Sequence, residues 1–388
     1  MSLNSDITLS AVGDMMLGRS GLSQVDSSEI DRIFHGVESL LSQFDIRFGN
    51  LEMPLTDKNS RNPAKPADYP ALKGSKGFGT VLKKAGFDVL TLANNHIMDY
   101  GEEGLNDTIE ILRENSISYI GVGANEQEAR QPLIITKKGI TFGILAYSCA
   151  YMADSTNAGC ASVYKHSQII NDIKNLKKKV DHVIVSTHRG LEYCDYPTPT
   201  HRKESMNMVD AGASLVLGHH PHVVQGIEEY KDGIICHSLG NFVFDLFDQG
   251  LYHKSLNESL VGKEGIQTFP VDDNRASESI IFTCVFDKHK ISSYDIIPVV
   301  INNKYQPLLA NSTQKEKILG RIKQISEDLM NNNLPIFKKL NEIDVSENIE
   351  SAIKHDFWNI LSRIHKIRLR HIVLFAKYLK ISTTRIFN

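Results

Sequence analysis

The sequence predicts an α/β fold, on three observations. Apolar runs of strand length alternate with segments whose apolar residues recur at helical spacing. Five of those runs end in Gly or Asn beside a side chain able to hold a metal: Asp14, Glu52, Asn95 with His96, His188, and His220 with His222. No apolar run approaches the roughly 18 residues a membrane helix needs. Strands alternating with helices build a sheet whose strand ends share one edge, and binding clefts form at that edge. Five separate coincidences are less economical than one site assembled from all five.

The elements follow in order. Ile7 to Val12 reads as a buried strand ended by Gly13-Asp14. A carboxylate there suits a metal ligand or a catalytic acid, and equally a helix cap. Ser27 to Ser42 keeps a helical period through positions 30, 33, 34, 37, 40 and 41. Asp45 to Phe48 reads as a second strand, ended by Gly49-Asn50-Leu51-Glu52. Residues 57–77 form a loop rich in Pro, Gly and basic side chains (Lys58, Arg61, Lys65, Lys73, Lys76). It reads either as a solvated surface or as a rim that attracts an anionic substrate. Thr80 to Ala85 is helical, and the strand Phe87 to Leu92 delivers Asn94-Asn95-His96, with Asp99 and Gly101 just beyond. An amide oxygen ligates metals and an imidazole serves as general acid.

A helix over Leu105 to Asn115 and a strand over Ser118 to Val122 come next. Leu133 to Thr136 and Ile140 to Tyr147 flank Lys137-Lys138-Gly139, a hairpin signal. An amphipathic helix over His166 to Val180 precedes the strand Asp181 to Thr187, which delivers His188, Arg189 and Glu192. A helix over 200–211 and a strand over Ser214 to Leu217 lead into Gly218-His219-His220-Pro221-His222. Neutral imidazole is the commonest protein ligand for a transition metal. His220 and His222 share one face in an extended chain, and Pro221 stiffens the turn. Ile234 to His237 reads as a strand and Ser238 to Asp245 as a Gly-containing turn.

Composition narrows the class. The chain has 388 residues, 41% hydrophobic and 23% charged, with net charge −3, so nucleic acid is not an expected partner. Five Cys at wide spacings, without a CxxC, suggest free thiols in a reducing compartment. The N-terminal residues lack the basic and apolar regions of a signal peptide, so the expected location is cytoplasmic or membrane-associated. Past residue 300 the character changes, with breakers at Asn302-Asn303 and 331–335 and helical patterns over 314–329 and 351–380. The expected division is a domain over 1–300 and a helical extension over 301–388. Lys and Arg crowd residues 354–388, where Asp356 is the lone acid. That helix packs on the core with a solvated basic face, or docks to a membrane surface or a partner.

The segments Gly13-Asp-Met-Met-Leu-Gly-Arg19, Asn50-Leu-Glu52, Leu92-Ala-Asn-Asn-His96, His188-Arg-Gly-Leu-Glu-Tyr193, His220-Pro-His-Val-Val-Gln225 and Ser238-Leu-Gly-Asn-Phe242 resemble, in order, those of the bacterial capsule-synthesis CapA family. That family is linked to poly-γ-glutamate capsules and is similar in turn to the calcineurin-like metallophosphoesterases. The resemblance covers about residues 5 to 300. It implies a four-layer αββα sandwich around a divalent metal ion, and the mix of carboxylate, amide and imidazole suits Mn, Fe or Zn.

Carried over residue by residue, the resemblance implies metal ligands at Asp14, Asn50, Glu52, Asn95, His188, His220 and His222, with His96 as proton donor. Two positions depart from the phosphoesterase pattern: Met16 stands at a His position and Asn50 at an Asp position, so one metal ion is expected rather than two. Arg19 reads as a clamp on a phosphate or carboxylate, or as an ordinary exposed Arg, and Arg189 carries the same alternative. Asp99, Asn241 and Asp245 are expected to orient the ligands, and Glu192 reads as a partner orienting His188 or His220, or as a surface Glu. The implied function is a metal-dependent, phosphatase-like hydrolase of capsule or surface-polymer synthesis, acting on an anionic polymer or a phosphorylated substrate beside the capsule-synthesis machinery. The alternative is a metal-stabilised accessory protein that binds nascent anionic polymer without turnover.

Overall fold

Two β-sheets lie face to face in the computed structural model, which describes residues 6–17, 30–65, 70–150, 152–154, 156–163, 165–245, 274–331 and 340. Arg19 and the helix expected over 351–380 lie outside these residues. The first sheet has the strand order β16 (Pro307–Leu309), β15 (Ile291–Ile301), β14 (Glu278–Phe286), β1 (Ile7–Met16), β2 (Ile46–Leu51), β3 (Val89–Thr91) and β4 (Ser118–Ile120), and β13 (Asn241–Phe244) also pairs with β1. The second has the order β11 (Ile227–Tyr230), β12 (Gly233–Cys236), β10 (Leu215–His219), β9 (His182–His188), β7 (Ile140–Ser148) and β6 (Leu133–Lys137). A short ladder joins β5 (Val122–Gly123) to β8 (Gly159–Cys160).

Side-chain alternation along the strands divides the core into layers. In β1, Ile7, Leu9 and Ala11 face the second sheet, where they meet Phe142 and Ile144 of β7, Ile184 of β9, and Leu215 and Leu217 of β10. The intervening positions face outward: Leu145, Val183, Val185 and Val216 pack against helices on the far side. Helices α1 (Glu38–Leu41), α2 (Phe78–Lys84) and α3 (Gly101–Glu114) cover the first sheet through Leu41, Phe78, Leu82, Leu105 and Leu112. A short α4 (Glu126–Ala129) leads to the hairpin, and α5 (His166–Lys177) and α6 (Pro199–Asp210) cover the second sheet through Ile169, Ile173, Leu176 and Met208. The result is a four-layer αββα sandwich. Helix α7 (Ser312–Asn331) packs Ile318 and Ile322 into the middle core, and β15 and β16 carry the first sheet past residue 300. No helix among the described residues is long and apolar enough to cross a membrane.

Several expected boundaries move. The helical pattern over Ser27 to Ser42 is met, within the described residues, by turns bonded from residue i to i+3 and by the single turn of α1. Ile33, Phe34, Val37 and Leu41 are buried in this way without a continuous helix. The expected turn over Ser238 to Asp245 contains a strand, β13, because its backbone continues the parallel ladder of β1. The second strand does not stop at Phe48, since β2 pairs with β1 through Asn50 and Leu51. Likewise β10 runs two residues beyond Leu217 and ends on His219.

Candidate metal centre

Strand register brings the polar residues together before any side chain is considered. Parallel strands end at the same edge. In the first sheet Asp14 pairs with Asn50 across β1–β2 and with Asn241 across β1–β13. In the second sheet His219 pairs with His188 across β10–β9. The two rows close on each other at one end of the sandwich. Bulges at Asp14 shift the register on both sides of β1 and re-aim its carboxylate. The segment 237–240 passes close against both strands and requires glycine there: a Cβ on Gly13 would lie 1.9 Å from the carbonyl oxygen of Gly240, and one on Gly218 would lie 1.9 Å from that of His237.

Asp14 is the most tightly held group. Its Oδ1 accepts from Asn50 Nδ2 at 2.8 Å and from His219 Nδ1 at 3.1 Å, and its Oδ2 accepts from the backbone N of His220 at 3.2 Å. His222 Nδ1 stands 3.4 Å from Oδ2. Burial alone raises a carboxyl, but these imidazole hydrogen bonds and charges outweigh it and hold Asp14 well below the usual carboxylate range.

Asn50, expected as a ligand, spends its amide on its neighbours. It donates to Asp14 and to His188 Nδ1 at 3.3 Å, and its Oδ1 accepts from Asn94 Nδ2 at 3.2 Å. Its amide therefore bridges the Asp14 carboxylate and the His188 ring. His188 directs Nε2 at Asn95 Oδ1, 2.8 Å away, and at Glu52 Oε1, 3.3 Å away. Burial and the neighbouring His220 keep this imidazole neutral, well below its ordinary value.

The turn after β10 is not extended. His220 and His222 have φ of 98° and 58°, a region that non-glycine residues avoid, so the two imidazoles converge through a left-handed backbone rather than by sharing a strand face. Their ring centroids are 5.9 Å apart, and His220 stands 4.8 Å from His188. Burial depresses His220 to about 3, whereas at His222 the hydrogen bond and charge of Asp14 outweigh burial and raise it. His222 Nδ1 donates to Asn241 Oδ1 at 2.9 Å, which leaves Nε2 facing Glu52 Oε1 at 3.8 Å.

Three overlapping groups of ligand atoms result, each with its members within 4.8 Å of one another: Glu52 with His188 and His220, Asp14 with Glu52 and His222, and Glu192 with His220 and His222. Glu192, expected as an orienting partner, thus joins the ligand-type set. The residues fit a divalent cation on one decisive point. Glu52 is fully buried, and neither of its oxygens accepts a hydrogen bond among the described residues. Burial and the negative charges of Asp14 and Glu192 push its carboxyl well above the usual range. A buried carboxylate without a donor is costly, and a bound cation is the group that offsets the cost. Nδ1 of His220 and Nε2 of His219 are likewise buried without a partner. Oxygen and imidazole donors without thiolate suit a divalent cation.

His96 stands beside this cluster. Its Nδ1 donates to Asp99 Oδ2 at 2.8 Å, so its Nε2 remains available on the other side of the ring. Burial lowers this imidazole, with Asp99 opposing. Asn94 shapes the turn: its Oδ1 accepts from the backbone N of His96 and of Ile97, and its Nδ2 donates to Leu51 O at 2.8 Å. Arg189 turns away and pairs with Glu204 on α6, which excludes it as an anion clamp in this structure. His219, Asn94 and Lys65 belong to the assembly although sequence reasoning left them out. For His219 the signal was present, since Leu215, Leu217 and His219 alternate onto the inward face of β10.

Known proteins match this arrangement in sequence. The family described as bacterial capsule synthesis protein PGA_cap matches residues 8–246. The capsule biosynthesis protein CapA of Bacillus anthracis is 36% identical over 249 residues, 62% of this chain and 61% of that protein's length. The PGA biosynthesis protein CapA of Bacillus subtilis is 33% identical over 289 residues, 70% of this chain and 74% of that protein. Among solved structures, a phosphatase of Mycoplasma pneumoniae aligns with TM-score 0.49 at 16% identity, over 77% of this chain and 96% of that one. The matched span contains every residue of the cluster described above, and the chain belongs to the bacterial capsule synthesis protein PGA_cap family.

Proposed function

We propose that this protein is a metal-dependent hydrolase, phosphoesterase-like in its chemistry, that acts on an anionic or phosphorylated substrate in capsule or surface-polymer synthesis. The observation that carries the reading is Glu52, a buried carboxylate with no hydrogen-bond donor among the described residues, set among Asp14, His188, His220 and His222. Asp14, Glu52, Asn95, His188, Glu192, His220 and His222 are the residues that would hold a divalent cation. Such an ion supplies Lewis acidity and acidifies water.

The rest of the chemistry belongs to side chains. Asn241 accepts from Nδ1 of His222 and so fixes that ring with Nε2 free, and Asn50 packs its amide against Nδ1 of His188. His96 is the acid in its doubly protonated form: pinned through Nδ1, it gives its Nε2 proton to the oxygen of the leaving group as the ester bond breaks, and returns to the neutral ring with Nδ1–H on Asp99. A purely structural metal site has no use for such a group.

The test pairs metal analysis with turnover. Protein purified without chelator is expected to retain a divalent metal, Glu52→Gln to lose it, and His96→Ala to keep it. Wild type and His96→Ala are then compared on phosphomonoesters, phosphodiesters and γ-glutamyl peptides. Loss of turnover in a metal-replete His96→Ala protein supports the hydrolase. A wild type that retains metal and turns over none of these substrates supports the accessory role in binding anionic polymer instead.

A further inference from the structure

Building on the hydrolase reading, we propose that Lys65 is a positioning residue for His96, which makes loop 61–65 part of the active centre rather than a rim around it. The other lysines of that loop region are engaged at the surface. Lys58 pairs with Glu103 at 3.1 Å, Lys73 donates to Asn59 at 2.9 Å, and Lys76 faces Asp107 at 3.8 Å. Lys65 turns inside, with its side chain only 4% exposed. Its ammonium bonds Asp99 Oδ1 and lies 3.2 Å from His96 Nδ1. The loop is stapled in place by Asn62, whose backbone N donates to Asp99 O at 2.9 Å and whose Nδ2 donates to Met98 O at 2.8 Å. The backbone N of Lys65 donates in turn to Asn62 O at 3.1 Å.

The arrangement divides one carboxylate between two tasks. Asp99 is fully buried, and its Oδ2 takes the Nδ1 proton of His96 together with the backbone N of Leu72 at 2.7 Å. Its Oδ1 takes Lys65. Burying an ammonium is expensive unless it is paired, and an apolar side chain would fill the same space at lower cost. What the ammonium adds is orientation and charge balance. It fixes the rotation of the Asp99 carboxylate, and therefore the ring of His96. It also balances the charge of Asp99 in the interior.

Two readouts test the proposal, and the first needs no turnover. In protein carrying ¹⁵N-labelled histidine, ring ¹⁵N–¹H correlation spectra of wild type, taken at a pH where the ring is neutral, are expected to show His96 as a single tautomer protonated at Nδ1. Lys65→Met is expected to show a mixture of ring states, and Lys65→Arg to return to one. The second readout is leaving-group dependence. Lys65→Met is expected to slow hydrolysis of an alkyl phosphate by about 10²-fold through kcat, the scale of general-acid catalysis, and to leave an aryl phosphate with an acidic leaving group nearly unchanged. Lys65→Arg restores most of the alkyl rate. If Lys65→Met does not fold, Lys65→Ala, which admits water into the vacated space, takes its place in both experiments. An unchanged His96 spectrum in the variant, or equal losses on both substrates, overturns the role of Lys65. A wild type inactive on both substrates overturns the hydrolase reading, and the ring spectrum still decides on Lys65.

Discussion

Nδ1 of His219 lies 3.1 Å from Oδ1 of Asp14, two fully buried side chains 205 residues apart in the chain. One ends a strand of the second sheet and the other follows the bulge of β1, so this hydrogen bond ties the two sheets together at the edge where the ligand atoms gather. Removing it leaves an ionised Asp14 short of a donor in a dry interior. His219→Leu is expected to destabilise the protein by about 2 kcal/mol, the cost of an unsatisfied buried group. Urea denaturation in the presence of chelator measures this, and a midpoint equal to wild type would show that Asp14 does not need the imidazole.

Glu52 links metal binding to pH. Burial first, then the charges of Asp14 and Glu192, raise its carboxyl well above the ordinary 4.5. In metal-free protein the folded state therefore keeps a proton that the unfolded state releases. Stability falls as pH rises through 4.5, and the full penalty stands above the folded value. Glu52→Gln removes that penalty. Under chelation the variant is expected to match wild type at low pH and to exceed it at neutral pH, while with added metal the order reverses because wild type alone gains the ligand's stabilisation. Parallel stability curves for the two proteins across that range would refute the assignment.

Gly13 and Gly218 let the segment 237–240 pass close against the strands that carry the site. With a Cβ at either position 1.9 Å from a backbone carbonyl oxygen, that segment has to move. Gly13→Ala and Gly218→Ala are each expected to cost about 4 kcal/mol or to prevent folding, at the severe end for single substitutions. Gly320→Ala is the control: a Cβ there meets nothing within 4 Å on α7, and the change is expected to stabilise the helix by about 0.5–1 kcal/mol. Thermal or chemical denaturation of the three variants separates close approach from helix propensity.

Much of this architecture was legible in the chain. Continuous apolar runs such as those of β7, β9 and β10 announced strands between two packed layers, and the 3.6-residue pattern announced α3 and α5, because burial on both faces of a strand or on one face of a helix leaves its mark in the sequence. Less was legible where backbone pairing rather than side-chain burial decides the element. The strand Asn241–Phe244 reads as a turn until β1 lies beside it. The same holds for the helical pattern over Ile30 to Ser42, which short turns satisfy as well as a helix does.

The sequence by itself determined that carboxylates, amides and imidazoles stand at the ends of buried strands, and therefore that they crowd one edge of an α/β sandwich. Local order sufficed for that, since a glycine and a polar residue after an apolar run mark a strand end wherever it lies. Only the tertiary structure decided the roles within the crowd. It turned Asn50 into a bracket between Asp14 and His188, brought Glu192 up to His220 and His222, and carried Lys65 out of a surface-like loop onto Asp99. Those assignments depend on the distances between side chains from separate strands and loops. Such distances are set by how two sheets close on a shared core, a property that no window of the chain contains.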